Sequence, residues 1–144
     1  MKNLVLNGPN LAKLDLRDST IYGELSYVQL CSLISAHASS LGFETDIRQS
    51  DDEAQIISWL HEAVDCNLPV IFNPAAFTHY SYAIRDAADM LNTPLIEVHL
   101  SNPMSREEFR HTSVISGVAT GTIAGFGPNS YLLALNAMSN LLKK

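Results

Sequence analysis

Three short segments hold most of the side chains able to do chemistry. The first is Asn7-Gly8-Pro9-Asn10, followed by Arg17 and Tyr22. The second is Asn73-Pro74-Ala75-Ala76-Phe77-Thr78-His79. The third is His99-Leu100-Ser101-Asn102, followed by Arg110. Asn and Ser alone are ordinary turn formers. His and Arg returning in the same company are not. Such groups suit acid–base work on a small anion. Arg grips a carboxylate with a bidentate fork. Asn and backbone N–H groups hold an oxyanion. His exchanges a proton near neutral pH.

Other chemistries lack their residues. No GxGxxG or GxxxxGK[ST] follows the first apolar run, which argues against dinucleotide and P-loop sites. Gly121, Gly125 and Gly127 lie in and after a late apolar run, where close packing is the simpler reading. There is no HExxH, no paired Cys/His spacing and no GxSxG elbow. The lysines are Lys2, Lys13, Lys143 and Lys144, at the ends or in the first loop. A buried Schiff-base lysine is therefore not expected. What remains is a metal-free, non-covalent site.

The elements that must position these residues alternate along the chain. Leu4-Val5-Leu6 reads as a buried strand ending at Asn7-Gly8-Pro9. Residues 26–41 read as a helix: Ser26 and Gln29 have capping-box spacing, Leu30, Ile34, His37 and Leu41 share a face, and Gly42 stops it. Phe43 to Arg48 alternates as a strand. Asp52 and Gln55 form a second capping-type pair before the stripe Ile56, Leu60, Ala63 and Val64. Pro69 to Phe72 is a strand, residues 79–91 a helix, and Pro94 to His99 a strand. Ser105 to Phe109 reads as a short helix and Val118 to Phe126 as a buried strand. Pro128 to Leu142 is the last helix, with Lys143 and Lys144 suiting its dipole. Five strands separated by helices predict a flavodoxin-like, doubly wound five-stranded parallel α/β sheet, in one domain over residues 1–144. Ligands bind such sheets beyond the carboxyl ends of the strands. All three polar segments fall there.

Composition bounds the partners. The chain has 144 residues, 47% of them apolar, enough for one domain with a real core. Nine Lys and Arg against 15 Asp and Glu leave a net charge of −6. That argues against a nucleic-acid surface, though a few arginines still make a local basic pocket. Cys31 and Cys66 lack CxxC spacing and read as small buried hydrophobes, which fits a reducing compartment. The apolar start is too short for a signal peptide, and no run approaches a membrane span. A cytoplasmic protein without membrane contact is expected.

The three motif blocks, together with Tyr22-Gly23, Glu97-Val98-His99 and Arg106-Glu107-Glu108-Phe109-Arg110, resemble the type II 3-dehydroquinate dehydratases over essentially the whole chain. The resemblance implies a flavodoxin-like fold and a homododecamer built from trimers. It implies anti elimination of water from 3-dehydroquinate, through an enolate, to 3-dehydroshikimate, without metal or cofactor. Tyr22 then matches the base at C2, and Arg17 the lid arginine that stabilises the tyrosinate. His99 matches the acid for the leaving hydroxyl, and Asn10 the residue that helps hold the enolate. Asn73, His79, Leu100, Ser101 and Arg110 match substrate contacts. Asp86 matches an acidic residue supplied by a neighbouring subunit, and Glu97 a carboxylate behind the catalytic region. The lid departs from the family. Ala12, Lys13 and Asp15 stand where Asn, Leu and Gly are usual, and Asp18-Ser19 replaces Glu-Pro. Asp15 would take up a left-handed backbone less readily than glycine, and loss of the proline predicts a more mobile lid.

Blander readings stand beside these. Asp86 follows Arg85 and could form a surface ion pair. His79 could cap the helix it opens. His37, His61 and His111 read as structural or surface residues, and Arg106 as a charge on a helix surface. Contact between Arg17 and Tyr22 is expected only once the lid closes. A weakened relative sensing a shikimate-like acid, or a flavin or phospho-receiver protein of the same fold, are the rival classes. A receiver needs clustered strand-end aspartates, and the first strand ends in Asn-Gly-Pro-Asn instead.

Overall fold

A computed structural model describes residues 1–143. Its five strands are β1 (Lys2–Asn7), β2 (Glu44–Gln49), β3 (Val70–Asn73), β4 (Leu95–His99) and β5 (Gly121–Ala124). They form one parallel sheet in the order β2-β1-β3-β4-β5. The helices are α1 (Ser19–Tyr22), α2 (Tyr27–Ser40), α3 (Glu53–Cys66), α4 (Tyr82–Asp89) and α5 (Asn129–Leu142). Short 3-10 turns occupy Leu11–Leu16, Ala75–His79, Pro103–Ser105, Glu108–His111 and Ser116–Val118.

Alternation within the strands builds two cores. Val5, Ile71, Ile96 and Val98 point to the face covered by α2 and α5, where they meet Leu30, Ile34, Tyr131 and Leu135. Leu4, Leu6, Val70, Phe72 and Leu95 point to the other face, against Ile56, Leu60 and Ile84 of α3 and α4. Each fully buried Leu, Ile or Phe is worth roughly 1.5–3 kcal/mol of transfer free energy. Helix ends are set locally. Ser26 and Gln29 form the reciprocal capping box on α2, and Asp52 caps α3 through Ala54 N–H. No helix of the described residues is long and apolar enough to cross a membrane.

Several expectations are corrected. The late strand is short, and its residues are exposed or only half-buried, because β5 is a sheet edge with β4 as its one neighbour. Gln55 takes no part in a capping box, since Asp52 bonds Ala54 instead. The helix expected from residue 79 begins at Tyr82, and Ser81, not His79, caps it through Ile84 N–H. The helix expected over 105–109 is replaced by the two turns flanking Arg106 and Glu107. Cys66 is exposed and Cys31 half-buried, so neither is a core residue. In the lid the left-handed backbone falls on Asn10, at φ 71°, and Asp15 is not asked to adopt it. Lys143 directly follows α5, and Lys144 lies outside the described residues.

Chain direction diverges at β1, whose neighbours β2 and β3 are reached by crossovers on opposite faces. The crevice at such a switch point is where this fold takes ligands. It is held narrow by Gly8, whose N–H donates to Asn73 C=O at 2.8 Å. A Cβ on Gly8 would lie 2.4 Å from the Pro74 carbonyl oxygen. That backbone has no flexible end to move away. Gly8→Ala should therefore cost about 2 kcal/mol or more, read as a lower midpoint in urea unfolding with an unchanged slope. An unchanged midpoint would show that the two loops are not in contact.

Candidate active site

Each polar segment reaches the crevice by its own local device. After β1, Asn10 turns the chain in its left-handed conformation, and its N–H bonds Asp51 Oδ1 at 2.9 Å. Leu11 and Leu14 of the following turn are buried in the core, so the lid is tied down at its base. Asp18 then caps α1, accepting from Thr20 N–H at 2.9 Å and from the Thr20 hydroxyl at 2.7 Å. That single helical turn carries Tyr22 back into the molecule, where it is 8% exposed.

The turn brings Tyr22 against Arg17. The guanidinium donates from Nη2 to the Tyr22 hydroxyl, and its carbon sits 3.8 Å from the ring centroid. The contact is made in this structure, where α1 carries Tyr22 back toward Arg17. A second guanidinium, Arg106, lies 4.9 Å from the same ring and donates to Ser101 Oγ at 3.1 Å. Arg106 is thus no surface charge. Its side chain is 13% exposed, and Nε is buried without a hydrogen-bond partner. Its position was missed because the segment is not the helix the spacing implied. The one available signal was a second arginine four residues before Arg110.

Arg17, Tyr22, Arg106 and Arg110 line a cavity of about 130 Å³ with Asn10, Asn73, His79, His99, Leu100 and Ser101. Every expected site residue reaches this cavity except Asp86. Asp86 is exposed on α4, 3.3 Å from Arg85, and its own chain brings it to no site. The cavity is cationic. Burial lowers the Arg17 pKa, Tyr22 opposes this, and repulsion from Arg106 and Arg110 adds to it. Burial likewise holds His79 below the usual imidazole range, although its Nδ1 meets Thr112 C=O at 2.9 Å.

Behind His99 stands a buried anion. His99 Nε2 meets Glu97 Oε2 at 2.5 Å, which leaves Nδ1 as the free ring nitrogen. Ser116 donates to Glu97 Oε1 at 2.8 Å and Ser113 at 3.0 Å. Ser113 is itself oriented by Ile115 and Ser116 N–H groups, at 3.1 Å and 3.0 Å. Burial pushes the Glu97 carboxyl up, but the bonds from His99, Ser116 and Ser113 outweigh it and hold the group below its ordinary value. A carboxylate surrounded by donors is an anion. Neither serine stood out in the sequence, because both act through Glu97. The arrangement offers an arginine-flanked phenol, an anion-backed imidazole and amide groups around one small cationic space. Among the described residues no cluster of three or more His, Cys, Asp or Glu could hold a metal.

Residues 1–139 match the family model described as Dehydroquinase class II. The chain belongs to the class II dehydroquinases. A 3-dehydroquinate dehydratase of Mycobacteroides abscessus is 53% identical over 131 residues, 91% of each chain. That of Salinispora tropica is 50% identical over 139 residues, covering 96% of this chain and 97% of its own. The crystal structure of type II dehydroquinase from Propionibacterium acnes superposes with a TM-score of 0.94 at 46% identity, covering 96% of both chains. A 3-dehydroquinate dehydratase-like protein from Bifidobacterium longum superposes at 0.77 with 44% identity, covering 100% of this chain and 99% of its own. The family's flavodoxin-like fold is therefore the fold of this class II dehydroquinase.

The Glu97 cluster sets a pH limit. Its carboxyl is lower in the folded chain than in the unfolded one, so its stabilisation is complete above the ordinary Glu value of 4.5 and is lost as pH falls through the lower folded value. Ser116→Ala removes one donor and raises that folded value. The acid unfolding midpoint followed by circular dichroism should move to higher pH, by less than about one unit. A midpoint that stays put would mean Ser116 does not hold the anion.

Proposed function

We propose that the chain is a 3-dehydroquinate dehydratase that removes water from 3-dehydroquinate to give 3-dehydroshikimate. The observation that carries this reading is the Arg17–Tyr22 contact inside a cationic cavity that also holds His99. The Arg17 guanidinium donates to the Tyr22 hydroxyl, and a charge-assisted bond of this kind strengthens as negative charge develops on the phenol oxygen.

In this reading Tyr22 takes the proton from C2, and the electron pair moves onto the carbonyl oxygen as an enolate. Asn10 helps hold that enolate. The enolate then expels the hydroxyl, which takes a proton from His99 and leaves as water, forming the carbon–carbon double bond. Glu97 orients the imidazole through Nε2. Arg110, Asn73, His79, Ser101 and the Leu100 backbone grip the acid and its hydroxyls. In this reading every group the reaction needs comes from the protein itself, and no cofactor takes part. The setting is a cytoplasmic enzyme of aromatic biosynthesis or quinate breakdown, folded as a single domain.

Asp86 completes the reading only across an interface. It does not line its own chain's cavity, so in this reading a second copy presents it. We assign the active form to a dodecamer made of four trimers. Sedimentation should give a species far larger than a dimer, and Asp86→Ala should raise KM without dissociating it. A fully active monomer would remove the shared site.

The decisive assay follows the ultraviolet absorbance of the conjugated enone of 3-dehydroshikimate. Arg17→Ala should lose about 100-fold or more in kcat with a smaller change in KM. Arg17→Lys should restore little, because a point charge lacks the planar fork. Tyr22→Phe should match Arg17→Ala, and the double variant should be scarcely worse, since the pair acts as a unit. Near-parental kcat in Tyr22→Phe would sink the assigned base.

A further inference from the structure

A run of buried polar side chains leads from the cavity wall into the core beneath α2 and α5. Each link has one direction. Ala75 N–H is a donor only, and it reaches Asn73 Oδ1 at 3.1 Å. The Asn73 amide nitrogen therefore faces the Tyr131 hydroxyl, at 2.8 Å. That hydroxyl, accepting from Asn73, donates its own proton to Asn7 Oδ1 at 2.6 Å. The Asn7 amide nitrogen is left facing two acceptors, Arg48 C=O and the Tyr27 hydroxyl, each at 3.4 Å. A backbone donor closes one end and a backbone carbonyl the other. Flipping either amide would set donor against donor and acceptor against acceptor.

The run is dry. Asn7 and Tyr131 are fully buried and Asn73 is 3% exposed. Burial pushes the Tyr131 phenol well above its ordinary range, and the Asn73 bond only partly offsets this. Tyr131 keeps its proton and hence its polarity. The consequence falls on Asn73, the one member that lines the cavity. Its oxygen is turned to Ala75, and one amide hydrogen is spent on Tyr131. A single amide hydrogen remains for whatever enters.

We propose that Tyr131 is a positioning residue that locks Asn73 as a hydrogen-bond donor to the substrate, so that this wall of the site favours an oxygen lone pair over an N–H or O–H donor. A carboxylate oxygen meets that demand at any pH where the enzyme works. The inference rests on the dehydratase reading for its substrate and adds to it the residue that sets the wall's polarity. Asn7 acts one step further back, by accepting the Tyr131 proton. Tyr131 belongs to α5 and touches no substrate; it acts through Asn73.

Steady-state kinetics with 3-dehydroquinate on a double-variant cycle tests this. Tyr131→Phe should raise KM about tenfold, with a much smaller change in kcat. In the Asn73→Ala background the same substitution should leave KM unchanged, while its loss of melting temperature persists in both backgrounds. A structural role alone would move the melting temperature and not the KM coupling. Asn7→Ala keeps the proposal testable if Tyr131→Phe does not fold. It frees the Tyr131 proton to turn toward Asn73, and it too should raise KM only when Asn73 is present. A KM penalty equal in both backgrounds, or none in either, overturns the role of Tyr131. An inactive parent enzyme would instead overturn the dehydratase reading itself.

Discussion

Everything at this site depends on how closely the ends of β1 and β3 approach. Asn7 and Asn73 pair in register, and one residue later Gly8 still bonds Asn73 C=O at 2.8 Å. The approach leaves no room for a side chain on Gly8. It sends the two loops outward from one point, Asn10 and the lid on one side and Ala75 to His79 on the other. It also stacks Asn7 and Asn73 closely enough for one tyrosine to bridge both. A wider gap would separate Tyr22 from Asn73 and His79.

Electrostatics then decides what the cavity does. Three guanidiniums share about 130 Å³, and their mutual repulsion adds to the burial cost borne by Arg17. Such a cluster favours an anion, whose charge would offset the repulsion on Arg17. Glu107 pairs with two of the guanidiniums from an exposed position outside the cavity lining, at 3.8 Å from Arg106 and 3.2 Å from Arg110. Glu97 sits behind His99, saturated by two serines and the imidazole, so its charge orients the ring without repelling an anionic ligand. Stability and chemistry conflict at the front of the site and agree behind it.

The lid is built from this chain's own local contacts. Where the family usually carries Glu-Pro, this chain has Asp18-Ser19. A stiff proline restricts the chain before a helix; Asp18 acts by capping the turn with two hydrogen bonds to Thr20. With Leu11 and Leu14 anchored in the core, the segment has fixed points before Arg17 and a capped turn after it.

The sequence by itself determined the elements whose causes are local. Apolar runs marked four strands to within a residue or two, and Ser26 with Gln29 marked the start of α2. The motif blocks identified the family and nine residues that meet in the cavity, because each sits at a strand end or in the first turns beyond it. Only the tertiary structure decided the rest. The late strand reads as buried from its composition, yet as the edge strand it has a neighbour on one side alone. Arg106 reads as a surface charge until the chain brings it to the Tyr22 ring across more than eighty positions. Ser113, Ser116 and Tyr131 act on the site through Glu97 and Asn73, and the Tyr131–Asn7 bond spans 124 positions. Local propensity reports which backbone a residue favours. It carries no information on which distant side chain will fill the remaining valence of a buried donor or acceptor, and that pairing is what aims the groups of this site.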